Sequence, residues 1–195
     1  VIGSGKIYHG SFPDPASWHE YWPGQTRNRP GDPMPKNRPL NGIPRTAHFD
    51  WGPVDARDEE MGDWQVADWT RDKLAAKHDR PLFLACGIFR PHLPWYVPPK
   101  YFDRFPLDEV TLPEVRKDDL DDVPPVAKKM ANPSGDHARV LKTGNWAKAV
   151  QAYLASMAFA DACVGRVIAA LDEGPLADNT IVVLWGDHGW HLGEK

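Results

Sequence analysis

Apolar and polar positions alternate differently in different parts of this chain. Residues 1 to 66 show little periodicity and are broken by prolines and glycines, which predicts a set of loops. From Asp68 onward the pattern becomes regular. Asp68 or Thr70 can cap a short helix running to about His78, and Pro81 follows its end. Leu82-Phe-Leu-Ala-Cys-Gly87 reads as a buried strand. Prolines at 91, 94, 98 and 99 exclude a regular element from Ile88 to Lys100, and residues 103 to 145 read as acidic, proline-containing loop. Val150, Leu154, Met157, Val164, Ile168 and Leu171 then recur at helical steps. They predict a long helix from Trp146 to about Leu171, ended by Gly174-Pro175. On that stripe Asp161 reads as a buried carboxylate in need of a hydrogen-bond partner, and Gly165 as a point of close helix approach. Finally, Ile181 to Trp185 is a continuous apolar run after the turn signal Asp178-Asn179, and reads as a fully buried strand. Helix-to-strand alternation of this kind indicates an α/β fold.

Composition narrows the picture. A chain of 195 residues, 42% hydrophobic and 26% charged, has room for one globular domain with a core. A net charge of −4 without a dominant Lys or Arg run argues against a nucleic-acid or membrane-surface partner. No apolar stretch is read as approaching the length needed to span a bilayer. Cys86 and Cys163 make no disulfide framework and read as small core residues. Trp18, Tyr21, Trp22, Trp51 and Trp64 predict that the early loops are ordered, because disordered segments are poor in aromatics.

Candidate chemistry follows the predicted strand ends, where α/β sheets bind ligands. Asp187-His188, between Gly186 and Gly189, supplies a carboxylate and an imidazole that can meet one divalent ion. Alone, the pair reads equally well as a turn cap and a ring packed on Trp190, and His191 reads as structural. Arg90-Pro91-His92 lies beyond the strand ending at Gly87, with prolines flanking His92-Leu93 and fixing the imidazole's direction. Alone, this reads as a stiff surface loop. Gly5-Lys6-Ile7-Tyr8-His9 offers a Lys and a His able to bind and protonate an oxyanion, though in isolation a solvated terminus accounts for it. Cys86 stands before Arg90 at a suggestive spacing, but within an apolar strand it should be inert.

Taken in order, Gly5-Lys-Ile-Tyr-His9, Phe83-Leu-Ala-Cys-Gly-Ile-Phe-Arg-Pro-His92-Leu-Pro94, Pro98-Pro-Lys-Tyr-Phe-Asp103, Tyr153-Leu-Ala-Ser-Met-Ala-Phe-Ala-Asp161-Ala-Cys-Val-Gly165 and Asn179-Thr-Ile-Val-Val-Leu-Trp-Gly-Asp187-His188-Gly-Trp-His-Leu-Gly-Glu194 resemble the sulfatase family of the alkaline-phosphatase-like superfamily, in its iduronate-2-sulfatase branch. The resemblance implies part of an α/β/α sandwich around a mixed, mainly parallel sheet, with residues 1 to 195 forming a single partial catalytic domain. It implies a sulfuric ester hydrolase in which a formylglycine attacks sulfur and a divalent ion, usually calcium, clamps the sulfate. On general grounds the imidazole of His188 suits zinc or manganese better.

Carried over by position, Asp187 and His188 are metal ligands and Lys6 binds the sulfate. His9 assists proton removal, His92 contacts the sulfate or protonates the leaving oxygen, and Arg90 assists with an anionic substrate. The C/S-x-P/A-x-R motif that becomes formylglycine and the early Asp-Asp pair do not occur in this sequence, and both are expected upstream. The sulfate-binding Lys expected beyond Glu194 is also missing, since Lys195 comes too early. The chain is therefore expected to be a fragment, inactive by itself. The implied substrate is a sulfated carbohydrate or another sulfate ester, with the Trp- and Arg-bearing loops between 18 and 64 as its rim, and the implied location is exported or lysosomal. Alternatives are a phosphodiesterase or phosphonate monoester hydrolase of the same superfamily, or a non-catalytic module with the same fold.

Overall fold

Ile2–Gly5 forms the first strand, β1, in a segment whose sequence reads as loop. Glu20–Trp22 is β2 and Trp51–Pro53 is β3; Gly62–Ala75 is α1, Leu84–Gly87 is β4 and Trp95–Val97 is β5. Pro99–Phe102, Pro125–Ala131, Asp136–Lys142 and Trp146–Asp172 are α2 to α5. The computed structural model describes residues 1–46 and 48–193.

The strands form two parallel sheets, one in the order β2-β1-β4 and one pairing β3 with β5. This is the α/β architecture expected of an alkaline-phosphatase-like chain. β1 lies between its neighbours, with Gly5 opposite Gly87. The approach there is so close that a Cβ on Gly5 would stand 1.9 Å from the Gly87 carbonyl oxygen, and Gly5 has φ +83°. Only glycine serves at that point. Because β1 and β4 are parallel, the segments that follow them leave the sheet at the same end.

The structure departs from the expected elements in informative ways. Helix α1 begins at Gly62, so Asp68 and Thr70 are interior residues rather than caps. Its first amide is instead satisfied from outside the local sequence, by Asp32 Oδ1 at 2.9 Å from Gly62 N. Asp68 pairs with Arg166 of α5 at 2.5 Å, and the Thr70 hydroxyl donates to the Val66 carbonyl. The proline-rich stretch after β4 contains β5 and α2, and the acidic loop contains α3 and α4. Proline is tolerated there because it occupies the first positions of α2 and α3.

Helix α5 has the expected extent but buries a different face. Ala149, Ala152, Ala155, Phe159 and Cys163 point into the core with Val150 and Leu171, whereas Met157 is 44% exposed. Asp161 is exposed, and Gly165 has open space beside it. The buried-carboxylate and close-approach readings are therefore corrected. Small residues let α5 approach α1 and β5 closely, and their burial outweighs the larger residues' periodicity. Among the described residues α5 is by length and composition the one helix that could cross a membrane, yet it packs here as a core helix against Met61, Ala67, Tyr96 and Tyr101.

The largest departure is Ile181–Trp185. No strand forms there, and Ile181, Val183, Leu184 and Trp185 are 92%, 69%, 78% and 73% exposed. A β-branched run becomes a strand only where another strand accepts its backbone hydrogen bonds, and none pairs with it among the described residues.

Candidate active site

Lys6 leaves the carboxyl end of β1 with its backbone N–H donating to the Gly87 carbonyl at 2.9 Å. Its side chain is three-quarters buried, and its Nζ stands 4.0 Å from Asp187 Oδ2. His188 Nε2 lies 3.8 Å from that same oxygen, while the His188 backbone N–H donates to Asp187 Oδ1 at 3.0 Å. Lys6, Asp187 and His188, far apart in sequence, thus meet at the sheet's carboxyl end. Partial burial works to raise the Asp187 pKa. The His188 N–H, the His188 ring and the Lys6 ammonium outweigh it and hold the carboxyl below its ordinary value.

The other candidates stand nearby in topology without joining that cluster directly. His9 is exposed, receives the Ser11 N–H on Nδ1 at 3.3 Å, and lies 6.1 Å ring to ring from Phe12. His92 is exposed on the loop following β4, where its Nδ1 bonds the Leu93 carbonyl at 2.7 Å. A carbonyl accepts only, so Nδ1 carries a proton and Nε2 is left to face a substrate. No hydrogen bond or ion pair among the described residues links either ring to Asp187.

Arg90 is not at the surface. Its guanidinium is 1% exposed, donates to Asp32 Oδ2 at 2.6 Å and reaches the Tyr96 carbonyl at 3.1 Å. Its charge is paired with the Asp32 carboxylate, while Nη1 has no hydrogen-bond partner among the described residues. Burial would raise the Asp32 pKa, but Arg90 and Arg29 prevail and hold it below 3.8. The network is completed by Asp63, 1% exposed, whose two oxygens accept the backbone N–H groups of Phe89 and Arg90 at 2.9 and 3.0 Å. Sequence reading missed Asp32 and Asp63, which carry no motif. The one available signal was an acidic residue in the first turn of a helix.

The implied divalent ion can be tested against these donors. Asp187 and His188 are 72% and 62% exposed and offer one oxygen and one nitrogen to shared accessible space. Among the described residues no group of three or more His, Cys, Asp or Glu can hold a metal. The pair fits two positions of a metal shell and no more. Cys86, the decoy before Arg90, is pushed up to about 11 by burial, which leaves it an unreactive thiol. Glu194 and Lys195 lie outside the described residues.

Comparison with known proteins gives the family. The sequence model of the Sulfatase family matches residues 11–195. A sulfatase from Formosa agariphila is 38% identical over 208 aligned residues, covering 100% of this chain and 40% of that protein. Human iduronate 2-sulfatase is 36% identical over 58% of this chain and 22% of its own length. The choline-sulfatase of Rhizobium meliloti is 28% identical over 60% of this chain and 23% of its own length. The chain therefore spans less than half the length of these relatives. On the match of the family model to residues 11–195, this chain belongs to the sulfatase family.

Proposed function

We propose that the protein containing this chain is a sulfuric ester hydrolase acting on a sulfated sugar or a glycosaminoglycan-like substrate. The observation that carries the reading is the meeting of Lys6, Asp187 and His188 at one sheet end in a chain of this family. Residues 1 to 195 supply one wall of the site, as part of a larger catalytic domain. Asp187 and His188 would hold a divalent ion, calcium by family resemblance. Bound there, the ion supplies positive charge against the sulfate oxygens. The nucleophile, a formylglycine by the same resemblance, would come from outside these residues.

The chain's own groups have defined tasks in this reading. The Lys6 ammonium attracts the sulfate and is itself oriented by Asp187. His92, its Nδ1–H held by the Leu93 carbonyl, acts as the imidazolium and gives its Nε2 proton to the departing sugar oxygen, leaving the ring neutral with its proton on Nδ1. His9, exposed close behind Lys6 in sequence, would by family resemblance take the proton that the hydrated formylglycine gives up. The sugar preference rests on the likeness to iduronate 2-sulfatase.

The test is turnover by the full-length protein of 4-nitrophenyl sulfate beside 4-nitrophenyl phosphate. Wild type is expected to release nitrophenol faster from the sulfate. Lys6→Ala and Asp187→Ala should each lower kcat/KM by about a hundredfold or more. Faster turnover of the phosphate would give the site to phosphoester chemistry. Absence of both activities would make the chain a binding module.

A further inference from the structure

His92 sits on a loop with more supports than a surface loop needs. At the root of that loop, both oxygens of the buried Asp63 carboxylate hold the successive N–H groups of Phe89 and Arg90. Farther along, the Trp95 indole N–H donates to the Pro91 carbonyl at 2.7 Å. At the far side, Arg90 folds back to the Tyr96 carbonyl while its charge rests on Asp32. Arg29 closes the arrangement. It pairs with both Asp32 oxygens at 2.8 and 2.9 Å, stands 3.9 Å from Asp63 and covers the Phe89 ring at 4.2 Å. On the other side of that chain of contacts, the His92 ring lies 4.5 Å from the Phe89 ring, and its backbone N–H donates to the Phe89 carbonyl at 2.9 Å.

We propose that Asp63, with Arg90 and Asp32 behind it, is a positioning residue that fixes the direction of the His92 imidazole. It touches neither substrate nor reacting atoms, and its effect passes through Phe89. Two charged pairs buried beside an exposed ring give that ring a rigid base without restricting access to its Nε2. A general acid must be held within a few tenths of an ångström to act, so loss of this base should cost turnover more than binding. Asp63→Asn is the sharpest probe, because an amide keeps the shape but offers one acceptor oxygen in place of two.

The inference rests on the role of His92 in the sulfatase reading, so the experiment separates the two. In the full-length protein, kcat and KM for 4-nitrophenyl sulfate are measured for wild type, Asp63→Asn, His92→Ala and the double variant. Asp63→Asn is expected to lower kcat by roughly 10- to 100-fold with KM little changed. On the His92→Ala background it should lower kcat by less than about twofold. An equal loss on both backgrounds, or no loss in wild type, would overturn the proposal. Should Asp63→Asn fail to fold, Arg90→Lys carries the same test, since it keeps the charge for Asp32 but shortens the reach to Tyr96. If wild type turns over no sulfate ester, the sulfatase reading fails by itself. Positioning is then judged by NMR titration of the His92 ring, whose midpoint should move in Asp63→Asn and whose constancy would refute it.

Discussion

Asp187 is the residue on which opposite charges converge: a lysine just past the first strand and a histidine from its own turn share one of its oxygens. Its importance was legible in sequence only as a carboxylate beside an imidazole, and the sheet that brings Lys6 to it was not. Asp32 and Asp63 show the opposite case. Beyond the place of Asp63 in the first turn of α1, nothing in their local sequence marks them, and Arg90 is 58 residues from Asp32 in the chain. Asp32 also makes stability depend on pH. Its folded pKa is depressed, so its contribution is present above the unfolded value near 3.8 and disappears as pH falls through the folded value. Acid should therefore lower the melting temperature most steeply below about pH 4, and Asp32→Asn should flatten that part of the profile. A profile equally steep in the variant would contradict the pairing. At the thiols, burial pushes Cys86 up to about 11 and raises Cys163 as well. Iodoacetamide at pH 8 should leave both unmodified in the native protein and label both in denaturant, as read by mass spectrometry.

Among the elements, α5 was the most readable and also the most instructive. Its length followed from periodicity and from Gly174-Pro175. Its buried face did not, because alanines carry little weight in a hydrophobic pattern while allowing the closest packing. Phe159 is fully buried against Tyr101 at 5.3 Å between ring centres. Phe159→Ala should cost about 3–5 kcal/mol in urea unfolding, against less than about 1 kcal/mol for the exposed Met157→Ala. Equal costs would return the core to the face that the larger residues suggested. Ile181–Trp185 was misread because an apolar β-branched run reports a capacity to pair, and pairing needs a partner strand.

At the scale of the whole molecule, parallel strands explain why chemistry gathers where it does. β1 and β4 run side by side to Gly5 and Gly87, so Lys6 and the His92 loop emerge at one edge, and Asp187 meets Lys6 there. The α/β class and the strand before that loop were legible from hydrophobic runs. The central strand β1 was hidden by its glycines and by its place at the start of the chain. Family membership explains why separated motifs occur in this order, and the buried Arg29–Asp32–Arg90–Asp63 network explains how one of them is held. The most direct measurement is a crystal structure of the full-length protein grown with a divalent ion and inorganic sulfate, the product of the proposed reaction. The account expects density for the ion against Asp187 and His188, with a sulfate oxygen within hydrogen-bonding distance of Lys6 Nζ. An ion bound elsewhere, or Lys6 turned away from the sulfate, would contradict it.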